Sequence, residues 1–257
     1  MIERALCMLS LTYKSDSQDQ ISAKKLSLWK FNLILALWLG IFLNFSFYKT
    51  LYTLSPHSPL ENALFILSSM SIVVFAFNFV LQLLNWSRYA KILSSVLVII
   101  GGFSAYFVNS LGVVITPDQI QNMLQTDVQE VQDLWSFRLV LWSVFMVLLP
   151  LLIIWSVHLE PSRLSRQVFS KLVNMTCSIA IVITLLFISY ADYAAIFREH
   201  RELKSMISPQ NTIAASISYY KHKAPKQNLP LITYGGDAQF IQSSKSSKMP
   251  KLMVLVV

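Results

Sequence analysis

Residues 62–84 read NALFILSSMSIVVFAFNFVLQLL. This stretch contains no Asp, Glu, Lys or Arg, and as a helix it is long enough to cross about 30 Å of hydrocarbon. Four further apolar blocks flank it, at about Phe31 to Leu51, Tyr89 to Leu111, Leu139 to His158, and Leu172 to Ala191. The 257 residues are 54% hydrophobic and only 13% charged, whereas soluble domains carry about 25% charged residues. The blocks therefore predict five transmembrane helices. Gly101 and Gly102 lie inside the third and Pro150 inside the fourth. Both features are tolerated in a membrane bundle, and they are read here as close packing and a kink.

The connections between blocks differ in charge. Lys14, Lys24, Lys25 and Lys30 precede the first block, Arg88 and Lys91 lie between the second and third, and Arg163, Arg166 and Lys171 lie between the fourth and fifth. The alternate connections carry Glu61 on one side and Asp118, Asp127, Glu130 and Asp133 on the other. Short basic loops remain in the cytoplasm, so the N-terminus is expected there and the chain after Ala191 on the far side. The net charge of +8 is read as this orientation signal and not as a nucleic-acid surface. Residues 1–30 lack the form of a cleavable signal peptide, and Cys7 and Cys177 are placed too differently to imply a disulfide.

Hydroxyl-proline pairs mark helix starts on the outer side. Ser58-Pro59-Leu60-Glu61 is a capping box, Thr116-Pro117-Asp118-Gln119 repeats the device, and Ser208-Pro209-Gln210-Asn211 is a weaker version. From Thr116 an amphipathic helix is expected over 117–134, with Ile120, Met123, Leu124, Val128, Val131 and Leu134 on its apolar side. Asn122, Thr126 and Glu130, spaced four apart, form a polar stripe. By spacing alone this stripe is either a solvated face or a place where an amide, a hydroxyl and a carboxylate meet a zwitterionic lipid headgroup.

Beyond the fifth block the chain continues through Asp192-Tyr193-Ala194 and Phe197-Arg198, then a short helix after Pro209, then a polar linker with Pro225, Pro230, Gly235 and Gly236. It ends on Leu252-Met253-Val254-Leu255-Val256-Val257, which has the composition of a buried parallel strand. His57, His158, His200 and His222 have no metal-ligand spacing, and no phosphate-binding glycine loop occurs. Asn32, Asn44, Asn78 and Gln82 fall within spans, where amides most often join helices. No span carries a mid-bilayer charge, which argues against a proton-coupled transporter or ion pump.

The segments Gly112-Val113-Val114-Ile115, Ile120 to Asp127 with Glu130, Asp192-Tyr193-Ala194, Ser208-Pro209-Gln210-Asn211 and Pro250 to Val257 together resemble the lipid A phosphoethanolamine transferases, the family that includes the mobile colistin-resistance enzymes. The resemblance runs from about Leu28 onward. It implies an all-α membrane protein: a five-helix transmembrane bundle with periplasmic amphipathic helices and a C-terminal stub of an α/β, alkaline-phosphatase-like domain. The implied organisation is a cytoplasmic segment 1–27, a transmembrane domain 28–191 including the helix 117–134, bridging helices 192–224, a linker 225–250, and the first strand 251–257 of a truncated catalytic domain.

The implied activity is transfer of phosphoethanolamine from phosphatidylethanolamine to lipid A in the inner membrane of a Gram-negative bacterium, giving polymyxin resistance. Zinc and the catalytic residues are expected only past Val257, so that the chain by itself is expected to be inactive and to hold no cofactor. A monomer is expected, with membrane lipids as partners and no nucleic acid. The family's substrate-contacting loop residues match Asn122, Thr126 and Glu130. A core sugar as acceptor, or a non-enzymatic membrane protein complete at Val257, are the alternatives.

Overall fold

The computed structural model describes residues 25–126, 135–160 and 163–223. The chain divides between Lys221 and His222 into two units, of which the first, Met1–Lys221, holds the bundle. The described residues are almost entirely helical, in keeping with the five apolar blocks.

The first block forms α1, Leu28–Leu37, which runs through a π turn at Trp38–Phe42. It then bends by 55° into α2, Phe45–Leu54. The expected single span is thus a broken one. The break falls at Asn44, whose φ of −113° and ψ of 29° leave the helical region. The freed carbonyls do not face lipid. The Asn44 Nδ2 donates to Leu39 O at 2.8 Å and to Gly40 O at 3.3 Å, and the Tyr48 hydroxyl donates to Gly40 O at 2.7 Å. A backbone interruption at membrane depth is tolerated only where protein groups satisfy it in this way.

The second block forms α3, Pro59–Leu84, and the third forms α4, Ala90–Leu111. Glu61 accepts hydrogen bonds from the Ser58 amide at 3.2 Å and hydroxyl at 2.8 Å, which fixes the start of α3. Gly112, at φ +67°, ends α4 with a left-handed turn that a side chain would strain. The fourth block is one span in three pieces: α5, Phe137–Ser143, a π segment at Val144–Leu148, and α6, Leu149–Ser156. Pro150 lies two residues after the π segment. Proline has no N–H to donate and would clash with the carbonyl four residues back, and the wider π turn accommodates it.

The fifth block is α7, Leu164–Ile188. It begins eight residues before the expected start at Leu172, so Arg166 and Lys171 lie on its first turns instead of in a loop. It continues after a break at Ser189 into α8, Tyr190–Glu199. A 3₁₀ turn over Arg201–Met206 and a helix α9, Gln210–Lys223, complete the described chain. The N-terminal side is tied down by one parallel bridge, Leu26 to Leu159, in which the Leu26 amide donates to His158 O at 2.9 Å. The expected linker and terminal strand, 225–257, lie outside the described residues.

The glycines pack closely, as read from the sequence. A Cβ on Gly40 would sit 2.8 Å from Val74, one on Gly101 would sit 2.9 Å from Leu43, and one on Gly102 would sit 2.4 Å from Val147. These contacts bring α1, α4 and the fourth span against their neighbours at distances only small residues permit. The buried apolar residues Phe31, Leu35, Leu39, Leu81, Val98 and Ile154 form the centre of this packing. The amides within spans join helices: Asn32 Nδ2 donates to Gln82 Oε1 at 3.1 Å, Asn85 Nδ2 to Asn32 Oδ1 at 2.8 Å, and Asn78 Nδ2 to Ser178 Oγ at 2.8 Å.

Candidate functional site

The loop that carries the expected substrate residues opens with a short helix, Pro117–Gln125, anchored at its N-terminal end. The Thr116 hydroxyl accepts from the Gln119 amide at 3.3 Å, which is the cap expected from the sequence. Ile115 and Ile120 are buried with Val108 at the end of α4 and with Ala215 on α9. Asn122 is exposed, and its carboxamide has no hydrogen-bond partner among the described residues.

The helix stops at Gln125, so the expected helix over 117–134 is interrupted at Thr126; residues 127–134 lie outside the described residues. Thr126 turns extended, with φ −62° and ψ 131°. Its amide and hydroxyl both donate to the Asn122 carbonyl, at 2.9 and 2.8 Å. A β-branched residue whose hydroxyl competes for a backbone acceptor is a weak helix former, and here it ends the helix. Asn122 and Thr126 are therefore held together through that carbonyl. Glu130 lies outside the described residues.

A second constellation was not anticipated. The chain after the last span turns back into the bundle, and residues Ser208 to Thr212 seat against the break in the first span. The Ser208 amide donates to Asn44 Oδ1 at 2.7 Å, and Asn44 Nδ2 donates to Ser208 O at 3.1 Å. The Ser104 and Ser208 hydroxyls are 3.0 Å apart, and Ser104 Oγ donates to Asn211 Oδ1 at 2.8 Å. Pro209 rests on Gly101. Ser208 thus bonds to α4 and the first span, and does not serve as the helix cap that its spacing implied. Beside it, Asn109 Oδ1 accepts from the Ser46 amide at 2.8 Å while its Nδ2 donates to Leu43 O at 3.0 Å. The sequence offered Asn44 and Ser208 as separate signals; nothing in either indicates that they meet.

On the same side, His57 Nε2 lies 3.3 Å from Asp192 Oδ2. The Tyr193 and Ser69 hydroxyls are 2.7 Å apart, and the Tyr193 ring packs on Phe65 with centroids 4.9 Å apart. Burial pushes the Tyr193 phenol above its ordinary value. These contacts tie α8 back onto α3 as the chain leaves the membrane. Among the described residues no three His, Cys, Asp or Glu come together as a metal-binding group.

The comparisons agree with this architecture. Residues 73–224 match the family model described as Phosphoethanolamine transferase EptA/EptB. Phosphoethanolamine transferase EptA of Escherichia coli K12 is 31% identical over 234 residues, which cover 90% of this chain and 42% of that protein. Phosphatidylethanolamine transferase Mcr-1 of Escherichia coli is 29% identical over 207 residues, covering 77% of this chain and 37% of that protein. The solved structure of the integral membrane protein lipooligosaccharide phosphoethanolamine transferase A from Neisseria meningitidis superposes with a TM-score of 0.73 at 25% identity, over 77% of this chain and 37% of that one. The chain spans about two fifths of the length of the relatives it matches. With the family model covering more than half of its residues and the membrane bundle superposing on a solved member, the chain belongs to the phosphoethanolamine transferase EptA/EptB family.

Proposed function

We propose that this chain is the membrane part of an enzyme that moves phosphoethanolamine from phosphatidylethanolamine to lipid A. It anchors the enzyme in the inner membrane with its N-terminus in the cytoplasm, and it presents the donor headgroup on the far side. The catalytic residues and zinc belong to a domain after Val257, and the 257-residue chain alone transfers nothing. The observation that carries this reading is the family match over residues 73–224, which includes the whole of the Thr116–Thr126 loop.

Asn122, Thr126 and Glu130 are the residues we assign to the headgroup. The exposed Asn122 carboxamide can donate to a phosphate oxygen, and a carboxylate at Glu130 suits an ammonium. The Thr126 hydroxyl, already donating to the Asn122 carbonyl, retains lone pairs for the ammonium. The rigid anchor of Ile115 and Ile120 favours such a role, because a binding loop needs a fixed base. A core-sugar acceptor is the second reading. It draws on the Kdo(2)-lipid A phosphoethanolamine 7''-transferase of Salmonella typhimurium, which is 27% identical over 138 residues covering 52% of this chain, less than the 90% matched by EptA.

The test is mass spectrometry of lipid A and core from cells expressing the gene through whatever follows Val257. Lipid A carrying added phosphoethanolamine is expected. Glu130→Ala and Thr126→Ala, at unchanged membrane levels, are expected to lower that modification by about tenfold, as loss of one charge-assisted contact would. Modification of the core sugars alone selects the second reading, and unchanged lipid A in the Glu130→Ala cells removes the headgroup role.

A further inference from the structure

At the basic end of the bundle a cleft of about 550 Å³ opens between the first turns of α7, the start of α1 and the end of α3. Its lining includes Arg163, Arg166 and Lys171 against one carboxylate, Glu160. The described residues place no salt bridge on any of these four. Lys171 is 6% exposed, yet its Nζ has no hydrogen-bond partner among the described residues. The face of Trp86 lies 3.9 Å from it and takes one side of the ammonium, leaving its other N–H directions unanswered. The Ser27 hydroxyl, also on the lining, is buried and likewise has no partner among the described residues.

The cleft is built. Gln167, itself 7% exposed, donates to Ser87 Oγ at 2.7 Å and fixes the α3–α4 connection to α7. The Leu26–Leu159 bridge holds Ser27 beside the connection that supplies Glu160, whose amide donates to Leu26 O at 3.0 Å. A buried ammonium and a buried hydroxyl without acceptors are costly unless an anion completes them.

We propose that this cleft holds the phosphate of an anionic phospholipid in the leaflet at the basic end of the bundle. Lys171 and Ser27 donate to the phosphate oxygens from within, and Arg163 and Arg166 add charge at the rim. The chains of such a lipid have a ready surface. Phe169 and Val173, three and seven residues after Arg166, lie on the same face of α7 and are exposed at 70% and 45%. Trp29 also lines the cleft, and it is of the aromatic type enriched where membrane proteins meet headgroups. Basic pockets between membrane helices select anionic lipids by this combination of charge and apolar wall. The proposal stands on the cleft alone and is independent of the transferase reading.

The experiment is native mass spectrometry of the purified 257-residue chain, in detergent, with an equimolar mixture of phosphatidylglycerol and phosphatidylcholine. One phosphatidylglycerol per chain is expected to be retained in preference to phosphatidylcholine. Lys171→Met and Arg166→Gln are each expected to lower that retention about tenfold while leaving phosphatidylcholine adducts unchanged. Lys171→Met removes a buried charge and Arg166→Gln an exposed one, so both variants are expected to elute as the parent does. Equal retention of the two lipids by the parent chain, or a phosphatidylglycerol excess that survives the double variant, overturns the proposal. Inorganic phosphate at millimolar concentration distinguishes a soluble source. If it raises the melting temperature of the parent but not of Lys171→Met, while phosphatidylglycerol does neither, the lipid assignment falls.

Discussion

The polar clusters at Asn44 and at Lys171 differ in how completely they are answered. At Asn44 the side chain uses both its carbonyl and its amide, and every contact is to backbone: Leu39, Gly40 and Ser208. At Lys171 the ammonium is also buried, but among the described residues it meets the face of Trp86 and no hydrogen-bond acceptor. In a medium without water the first arrangement is self-sufficient and the second is incomplete. Burial of a polar group is therefore not informative by itself; the state of its hydrogen bonds separates a structural joint from a place that awaits a ligand.

The comparison breaks first at Asn44. Asn44→Ala removes the acceptor of the buried Ser208 amide and the donor to three carbonyls, so it is expected to cost about 2–4 kcal/mol in denaturant titrations of the purified chain. It is also expected to open the 208–212 segment to proteolysis, since Asn44 supplies that segment's link to the first span. A loss below 1 kcal/mol with unchanged proteolysis would show that the joint is held elsewhere. The next effect is smaller and apolar. Gly102→Val places a Cβ 2.4 Å from Val147 and disturbs the Gly102 carbonyl that accepts from Trp142 Nε1 at 2.8 Å. Overpacking of this kind costs about 1–3 kcal/mol, and the melting temperature should fall accordingly. Because this site lies across α4 from the polar joint, its effect should leave proteolysis at 208–212 unchanged.

The clusters were also unequally legible in the sequence. The spans could be read, because blocks near 20 apolar residues have few other uses. The caps at Ser58 and Thr116 and the packing of Gly101 and Gly102 could be read too, since each depends on neighbours in sequence or on residue size. Asn44 could be read only as an intramembrane amide. The break it makes depends on Ser208, 164 residues away, and no local signal such as Pro marks it. The end of the loop helix at Gln125 was missed for a related reason. Thr126 carries neither Gly nor Pro, and the apolar spacing continues past it. By its sequence, Lys171 falls in the basic loop between the fourth and fifth blocks. The helix instead begins earlier and carries the charge inward, with Trp86 and Gln167 holding the wall around it. Of the expected headgroup residues, the structure shows Asn122 and Thr126 joined through one carbonyl, while Glu130 lies outside the described residues.

The smallest expected effect sharpens the comparison by asking whether stability on the side of Asn44 is concentrated there or shared. Tyr193 joins α8 to α3 through one hydroxyl contact, 2.7 Å to Ser69, beside the Phe65 ring. Ser69 also donates to Phe65 O at 2.8 Å, so it keeps a partner when the tyrosine hydroxyl is removed. Tyr193→Phe is therefore expected to cost only about 0.5–1.5 kcal/mol at neutral pH. The effect should depend on pH in a definite direction. Burial raises the folded phenol above its ordinary value of 10.0, so the folded state keeps its proton where the unfolded state has lost it. The tyrosine's contribution is whole below that value and declines as pH climbs through and beyond it. Phenylalanine has no such dependence. The gap between the parent chain and Tyr193→Phe should thus narrow in denaturant titrations carried above pH 10.0. A gap that widened there would mean that the phenolate is stabilised in the folded state, contrary to its desolvated setting between α3 and α8.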